Sequence, residues 1–234
     1  MIFSYSRLHL FKKCPFRFFK KYVEGYEEPI TESLALGKAV HKTIEDKING
    51  IEHAEAVLNG YIECDFHPEV KIETISYLAS NANVNPKMGE TEVYFELTLD
   101  ENNEGTKIRG YVDLVEDGGK HITDWKTNHV LYSVRDTFQL GIYAWAVHKM
   151  FRVKEVVGTV YFLRHKKASS YIFDMNDMEN ARQWALGLAN AIHSKLKMYS
   201  MFPESKDDIF PACPSSNCRH CPFALECFQT FKVC

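Results

Sequence analysis

The segment GYVDLVEDGGKHITDWKT, residues 110–127, sets Asp113 on one side of an Asp117-Gly118-Gly119 turn and Asp124 and Lys126 on the other. The residues flanking that turn read as two strands, 106–116 and 120–127. A two-residue loop at Gly118-Gly119 makes residues whose numbers sum to 237 face one another. Asp113 and Asp124 are such a pair, as are Leu114 with Thr123 and Val115 with Ile122. A loop at Asp117-Gly118 makes the aspartates diagonal neighbours on one face, whereas a three-residue loop sends them to opposite faces. Opposed carboxylates with Cβ atoms about 5 Å apart repel unless a cation sits between them. Hard oxygen ligands at that separation suit Mg²⁺ or Mn²⁺. The strand period of two brings Lys126 to the same face as Asp124. Carboxylates and an ammonium around one metal can activate water beside a phosphate. On spacing alone a second reading stays open, a solvated acidic face with Lys126 as counter-charge.

The cysteines form the other cluster. There are seven, Cys14, Cys64, Cys213, Cys218, Cys221, Cys227 and Cys234, and the run Cys218-x2-Cys221-x5-Cys227 gives three thiolates at ligand spacing. The opening MIFSYSRLHLFKK is too polar for a secretory signal, and no apolar run is long enough to span a bilayer. A cytoplasmic protein without a membrane segment is therefore expected, where such a cluster reads as metal-binding rather than as a disulfide framework. A fourth ligand is needed, and both Cys213, which would close a local zinc knot, and the distant Cys14 are candidates. Cys64 and Cys234 read as unrelated.

Helices and strands must position these groups. Residues 5–22 read as a helix interrupted at Pro15, and 33–49 as a helix with a buried stripe of Leu36, Val40, Ile44 and Ile48. Residues 51–83 read as two helical pieces broken near His67-Pro68, and NANVNPKMG as a loop. Clean alternation over 91–99, with Val93, Phe95, Leu97 and Leu99 opposite Glu92, Tyr94, Glu96 and Thr98, reads as a strand. A helix over 136–150 and strands over 154–164 and 169–174 follow. Asn176 with Glu179 then opens a long helix to about Phe202, in the manner of a capping box. This order makes a mixed α/β fold the expectation.

With 234 residues, 45% hydrophobic and 25% charged, the composition is that of an ordinary soluble globular chain with one sizeable core. Its formal net charge of -3 does not advertise a nucleic-acid partner, so attraction to phosphate must be local. Two basic clusters are available: Lys12, Lys13, Arg17, Lys20 and Lys21, and Arg164-His165-Lys166-Lys167. Phe11, Phe16, Phe18, Phe19 and Tyr22, interleaved with the first, are either base-stacking surfaces or core.

Gly110-x-x-Asp113 followed by Asp124-Trp125-Lys126 resembles motifs II and III of the PD-(D/E)XK nucleases. Gln139-x-x-x-Tyr143 and Gly37-x-x-x-His41-x-x-x-Glu45 resemble two further motifs of the RecB-like subset, and all four occur in the family's order. The resemblance covers about residues 4–228, with 51–90 matched by no motif. In size and layout the chain is similar to the stand-alone CRISPR-associated RecB-like nucleases (Cas-four) and their viral relatives. It implies a restriction-endonuclease-like core, a mixed central β-sheet flanked by helices, in which His41, Asp113, Asp124 and the Trp125 carbonyl hold Mn²⁺ or Mg²⁺. Asp113, Asp124 and Lys126 are then the catalytic set. Gln139 and Tyr143 brace the lysine or touch DNA, and Glu92 is a further candidate, although a solvent-facing glutamate is the plainer account of it.

Ser6-Arg7-Leu8-x-x-Phe11-x-x-Cys14-Pro15-x-x-Phe18 is similar to the N-terminal segment of the family's iron–sulfur members. That similarity implies a [4Fe-4S] cluster on Cys14, Cys218, Cys221 and Cys227, with Cys213 surplus. Its expected organisation is one nuclease domain over residues 1–234, a core of about 33–200 and an iron–sulfur cap from about 4–25 and 203–230, formed by both chain termini. The implied activity is a DNA exonuclease acting on single strands or DNA ends, with protein partners in recombination or CRISPR adaptation. The competing expectation is a non-catalytic DNA-binding subunit in which the metal cluster is structural.

Overall fold

The computed structural model describes residues 1–100 and 103–232, so Cys234 lies outside the described residues. Helices α1 (Tyr5–Lys13) and α2 (Pro15–Tyr22) meet at Cys14, whose backbone is extended at φ -157°, ψ 99°. Pro15 forces this break: it disfavours helical backbone in the residue before it, yet suits the first position of the next helix. Helix α3 (Glu32–Ile48) is capped by the Thr31 hydroxyl, which accepts from the Leu34 amide. Its expected stripe is buried, with Leu36, Val40, Ile44 and Ile48 in one core alongside Ile75, Leu78 and Trp125. Helices α4 (His53–Glu63) and α5 (Ile72–Ser80) complete this layer, and the break between them is wider than the His67-Pro68 signal alone suggests.

Five strands form one mixed sheet in sequence order: β1 (Glu90–Asp100), β2 (Asn103–Glu116), β3 (His121–Lys126), β4 (Val156–Phe162) and β5 (Lys167–Phe173). β2 pairs antiparallel with β3, and β4 antiparallel with β5. β3 and β4 are parallel and so require a crossover, which α6 (Gln139–Phe151) supplies. Residues along β4 alternate between buried and half-buried, with Val156, Gly158, Val160 and Phe162 inward.

The acidic hairpin has the expected register by a different turn. Leu114 faces Thr123, Val115 faces Ile122 and Glu116 faces His121, each pair summing to 237. Glu116–His121 is the last pair, so four residues, Asp117 to Lys120, form the loop rather than Gly118-Gly119 alone. Lengthening a loop by one residue on each side leaves the sum unchanged, and with it the face each side chain takes. Asp117, Gly118 and Gly119 all have positive φ (49°, 62° and 95°), and a Cβ on Gly119 would lie 2.7 Å from that of Phe151.

Helix α7 (Met175–Met201) begins earlier than expected. Asp174 accepts from the amides of Asn176 and Asp177, while the Asp177 carboxylate accepts from the Asp174 amide. Asp174 and Asp177 therefore do what was expected of Asn176 and Glu179, and Glu179 pairs instead with Arg182 at 2.6 Å. The chain ends in α8 (Lys206–Ile209) and α9 (Ala224–Phe231). No helix among the described residues is long and apolar enough to cross a membrane.

The chain divides into two compact units. One comprises Met1–Pro29, Leu97–Arg109 and the segment from Gln183 on; the other comprises Ile30–Glu96 and Gly110–Arg182. In the first, Phe11, Phe16, Phe18 and Phe19 are buried, so the core reading of these aromatics is the correct one. The accompanying cations turn inward too. Lys20 is buried against Glu24 and Glu226 at 2.7 and 2.9 Å, and Arg17 and Lys21 each meet Glu28 at 2.6 Å. The first basic cluster is thus largely neutralised by its own chain, and the expectation that it forms a phosphate track does not hold for Arg17, Lys20 and Lys21.

Candidate metal and active site

Every side chain of the acidic constellation belongs to the second unit, on α3, β1, β2, β3 and α6. Asp113 and Asp124 are both buried, one position beyond the Leu114–Thr123 pair on their respective strands. The Asp113 carboxylate accepts a hydrogen bond from the Trp125 amide at 2.9 Å, which fixes it across the hairpin. His41 on α3 lies with Nδ1 3.4 Å from Asp113 Oδ2 and Nε2 2.8 Å from the Trp125 carbonyl oxygen.

Glu92 completes the group. One ligand atom each from His41, Glu92 and Asp113 lies within 4.8 Å of the others. Strand alternation alone leaves Glu92 on a polar face, but within β1 its backbone is left-handed, at φ 48°. A left-handed non-glycine residue inside a strand costs free energy and clusters at functional sites.

Lys126 and α6 build the other side. Lys126 Nζ sits 2.7 Å from Asp124 Oδ2 and donates to Gln139 Oε1 at 3.2 Å. Gln139 Nε2 in turn donates to Asp124 Oδ1 at 3.0 Å and contacts the Tyr143 hydroxyl at 3.1 Å. The Gln139–Tyr143 pair thus meets the lysine and the aspartate within the protein. Gly110 serves this packing: a Cβ there would strike the Phe95 ring at 2.8 Å, and that ring lies edge-on to Tyr143.

The electrostatics are those of a site short of positive charge. Burial opposes an imidazolium at His41, but the Asp113 carboxylate outweighs it and raises His41 to about 9. Burial, then the Asp113 charge, pushes Glu92 up to about 7. Burial also raises Asp124 in spite of the Lys126 ammonium. Asp113 goes the other way: burial works against its charge, yet His41, Lys126 and the Trp125 amide hold it low. Carboxylates driven apart in this way share too little positive charge for all to ionise. Asp124 Oδ2 is buried and, although beside Lys126, receives no well-aligned hydrogen bond. An imidazole with several carboxylate and carbonyl oxygens fits Mg²⁺ or Mn²⁺. The solvated-face reading of the hairpin does not survive this burial.

A cleft of about 860 Å³ opens on His41 and Glu92, with Lys38, Lys42, Leu34 and Tyr111 among its walls. Tyr111 was not singled out in the sequence, although period-two alternation places it on the face of Asp113, two residues on. Arg164 of the second basic cluster donates to the Thr127 carbonyl at 2.6 Å, one residue past Lys126.

All the described cysteines but Cys64 belong to the first unit. Cys14, Cys213, Cys218, Cys221 and Cys227 line one small cavity beside Arg17, and all five are free of disulfides. Their sulfurs are not drawn together as tightly as the His41, Glu92 and Asp113 ligand atoms. Burial raises the Cys221 thiol. Cys64 lies elsewhere, in the core around α3, as expected of an unrelated cysteine.

A family model for the PD-(D/E)XK nuclease superfamily matches residues 2–228, nearly the whole chain. The chain belongs to the PD-(D/E)XK nuclease superfamily. Membership implies a metal-dependent nuclease with a DNA substrate, and the gathered His41, Glu92 and Asp113 offer a place for its metal. Among individual proteins, the Gene 69 protein of Mycobacterium phage D29 is 38% identical over 81 residues, 34% of this chain and 28% of that relative. The chain therefore matches well under a third of that relative's length. The crystal structure of SSO0001 aligns over 95% of this chain and 94% of that one, at 16% identity and a TM-score of 0.35, too slight a likeness to carry an argument.

Proposed function

We propose that this PD-(D/E)XK nuclease is a DNA exonuclease that acts on single strands or DNA ends. His41, Asp113, Asp124, the Trp125 carbonyl and Glu92 would hold Mn²⁺ or Mg²⁺. The carrying observation is the convergence of His41, Glu92 and Asp113 on one point, beside a lysine held by Asp124 and Gln139. A bound ion supplies Lewis acidity toward a phosphate oxygen and acidifies water. The remaining roles belong to the chain. Lys126 orients the attacking water and offsets charge developing on the phosphate. Gln139 positions Lys126 and Asp124 together, and Tyr143, supported by Phe95, holds Gln139.

The motifs at His41–Glu45 and Gln139–Tyr143 support placement in the RecB-like branch near the Cas-four group, with partners in recombination or CRISPR adaptation. The shared cavity of Cys14, Cys218, Cys221 and Cys227 supports an iron–sulfur cluster. A single functional domain, with a core of about 33–200 and a cap from about 4–25 and 203–230, belongs to the same reading.

Linear and circular single-stranded DNA, each incubated with Mn²⁺, test the activity. An exonuclease degrades the linear form and spares the circle, and Asp113→Ala or Lys126→Ala lowers the rate by at least about a hundredfold. Full cleavage by either variant would refute the site, and rapid cutting of the circle would refute the exonuclease reading.

A further inference from the structure

The cleft beside the metal site is unlike a phosphate track. Its cations are already engaged: Lys38 meets Glu63 at 3.1 Å, and Lys42 meets Glu45 and Asp46 at 3.1 and 2.8 Å. Its apolar groups, by contrast, face outward. Leu34 is 63% exposed, Ile30 55% and Tyr111 54%, and all three line the cleft. Tyr111 packs against Tyr94, its ring 5.1 Å from that of Tyr94 and tilted by 49°. Tyr94 is tethered in turn, its hydroxyl donating to Glu96 at 3.0 Å. Large aromatics are mostly buried, so a braced yet exposed ring two residues from a site carboxylate, on the same strand face, calls for a ligand.

We infer that Tyr111 is the platform on which one unpaired base stacks when its phosphate lies at the His41–Glu92–Asp113 site. This inference deepens the nuclease reading and rests on it for the position of the phosphate. The chemistry selects a base over other occupants. A flat π-surface in the same cleft as Leu34 and Ile30 suits an aromatic ring, whereas already-paired lysines offer little to a second phosphate. The cleft volume is within the range that encloses a ligand of nucleotide size. Stacking also tells strands apart. A base within a duplex has both faces covered by its neighbours, so only a single strand or a frayed end can offer one to Tyr111. On this reading Tyr111 is a positioning and selectivity residue.

The test uses the full chain and oligothymidylate carrying one 2-aminopurine, whose emission falls when it stacks. Binding is read in Ca²⁺, and cleavage in Mn²⁺. Tyr111→Ala and Tyr111→Leu are expected to weaken binding by roughly tenfold and to abolish the quench, while Tyr111→Phe matches the parent chain. In Mn²⁺ the same loss should fall on KM with kcat little changed, and an abasic residue at the quenched position should erase the difference between variants. Unchanged affinity and quenching in both Tyr111→Ala and Tyr111→Leu overturn the inference. If the parent chain still cleaves in Mn²⁺, the nuclease reading stands without it. Tyr111-dependent quenching by a parent chain that cleaves nothing does the reverse, supporting base stacking while removing the catalytic reading.

Discussion

His41 shows how far a residue type and its spacing can be read. A histidine four residues before a glutamate is uninformative alone, and its partners, Asp113 and the Trp125 carbonyl, lie over 70 positions away. Once the hairpin drew attention to Asp113, the family pattern made His41 readable. Glu92 was barely readable, because the left-handed backbone that marks it does not show in the alternation of β1. Tyr111 was readable in principle, being two residues from Asp113, but an exposed tyrosine announces nothing in a sequence. The site's protons give a prediction at this scale. Imidazole must be neutral to ligate a metal, and His41 is raised to about 9 by Asp113, so below that pH an incoming ion must displace a proton. Glu92, raised to about 7, adds a second proton below that value. Mn²⁺ affinity should therefore climb with pH, by about tenfold per unit up to pH 9 and more steeply below 7. Calorimetry in buffers of different ionisation enthalpy should register the released protons. An affinity flat from pH 6 to 9 would contradict these ligands.

Between residues and fold stand the turns and helices that aim them. The hairpin register was legible because a buried face admits one parity of pairing, and a four-residue loop preserves that parity as well as a two-residue one. Its length was not legible, since Gly118 and Gly119 suit several turns with positive φ. The two glycines should differ in their tolerance of alanine. Gly118 has φ 62° and open space around its Cβ direction, so alanine costs only the left-handed backbone, about 1 kcal/mol. Gly119 has φ 95° and would also drive a methyl against Phe151, and about 3 kcal/mol is expected there. Urea midpoints of the two variants check this, and equal losses would mean that the loop moves freely. The N-terminal helix pair offers a test against pH. Burial pushes the Glu28 carboxyl up, but hydrogen bonds from Arg17 and Lys21 outweigh it and hold it below its ordinary value. Its stabilisation is therefore complete above the unfolded carboxyl's pKa and fades as pH falls through the lower folded value. Both cations are partly exposed, so about 1 kcal/mol is at stake. Glu28→Gln should lose that stability at pH 7 and show a shallower decline toward acid.

At the scale of the molecule, charge misled where local pattern did not. The segment from Lys12 to Lys21 reads as a basic track because every acid that neutralises it lies outside it: Glu24 is four positions from Lys20, Glu28 lies 11 from Arg17, and Glu226 lies 206 from Lys20. The same remoteness governs the cysteines. Cys14 and the C-terminal cysteines sit in one compact unit and line one cavity, but Cys213 lines it too, so the cavity alone admits two ligand sets. Arg17 faces that cavity, and its charge opposes the burial that raises the Cys221 thiol without overcoming it. The two sets make opposite predictions. An iron–sulfur cluster on Cys14, Cys218, Cys221 and Cys227 gives brown, anaerobically purified protein with about four irons per chain. Cys14→Ser then loses the colour, and Cys213→Ser keeps it. A tetrahedral zinc site on Cys213, Cys218, Cys221 and Cys227 gives colourless protein with one zinc, lost in Cys213→Ser and kept in Cys14→Ser. Metal analysis of the parent chain and these two variants separates the cases, and the iron–sulfur reading fails if iron is absent or survives the loss of Cys14. Thiolate ligation contributes directly to folding, so the variant that loses its metal should also unfold at lower urea. Mn²⁺ binding at His41, Glu92 and Asp113 should persist in both, since the two ligand sets share no residue and belong to different units.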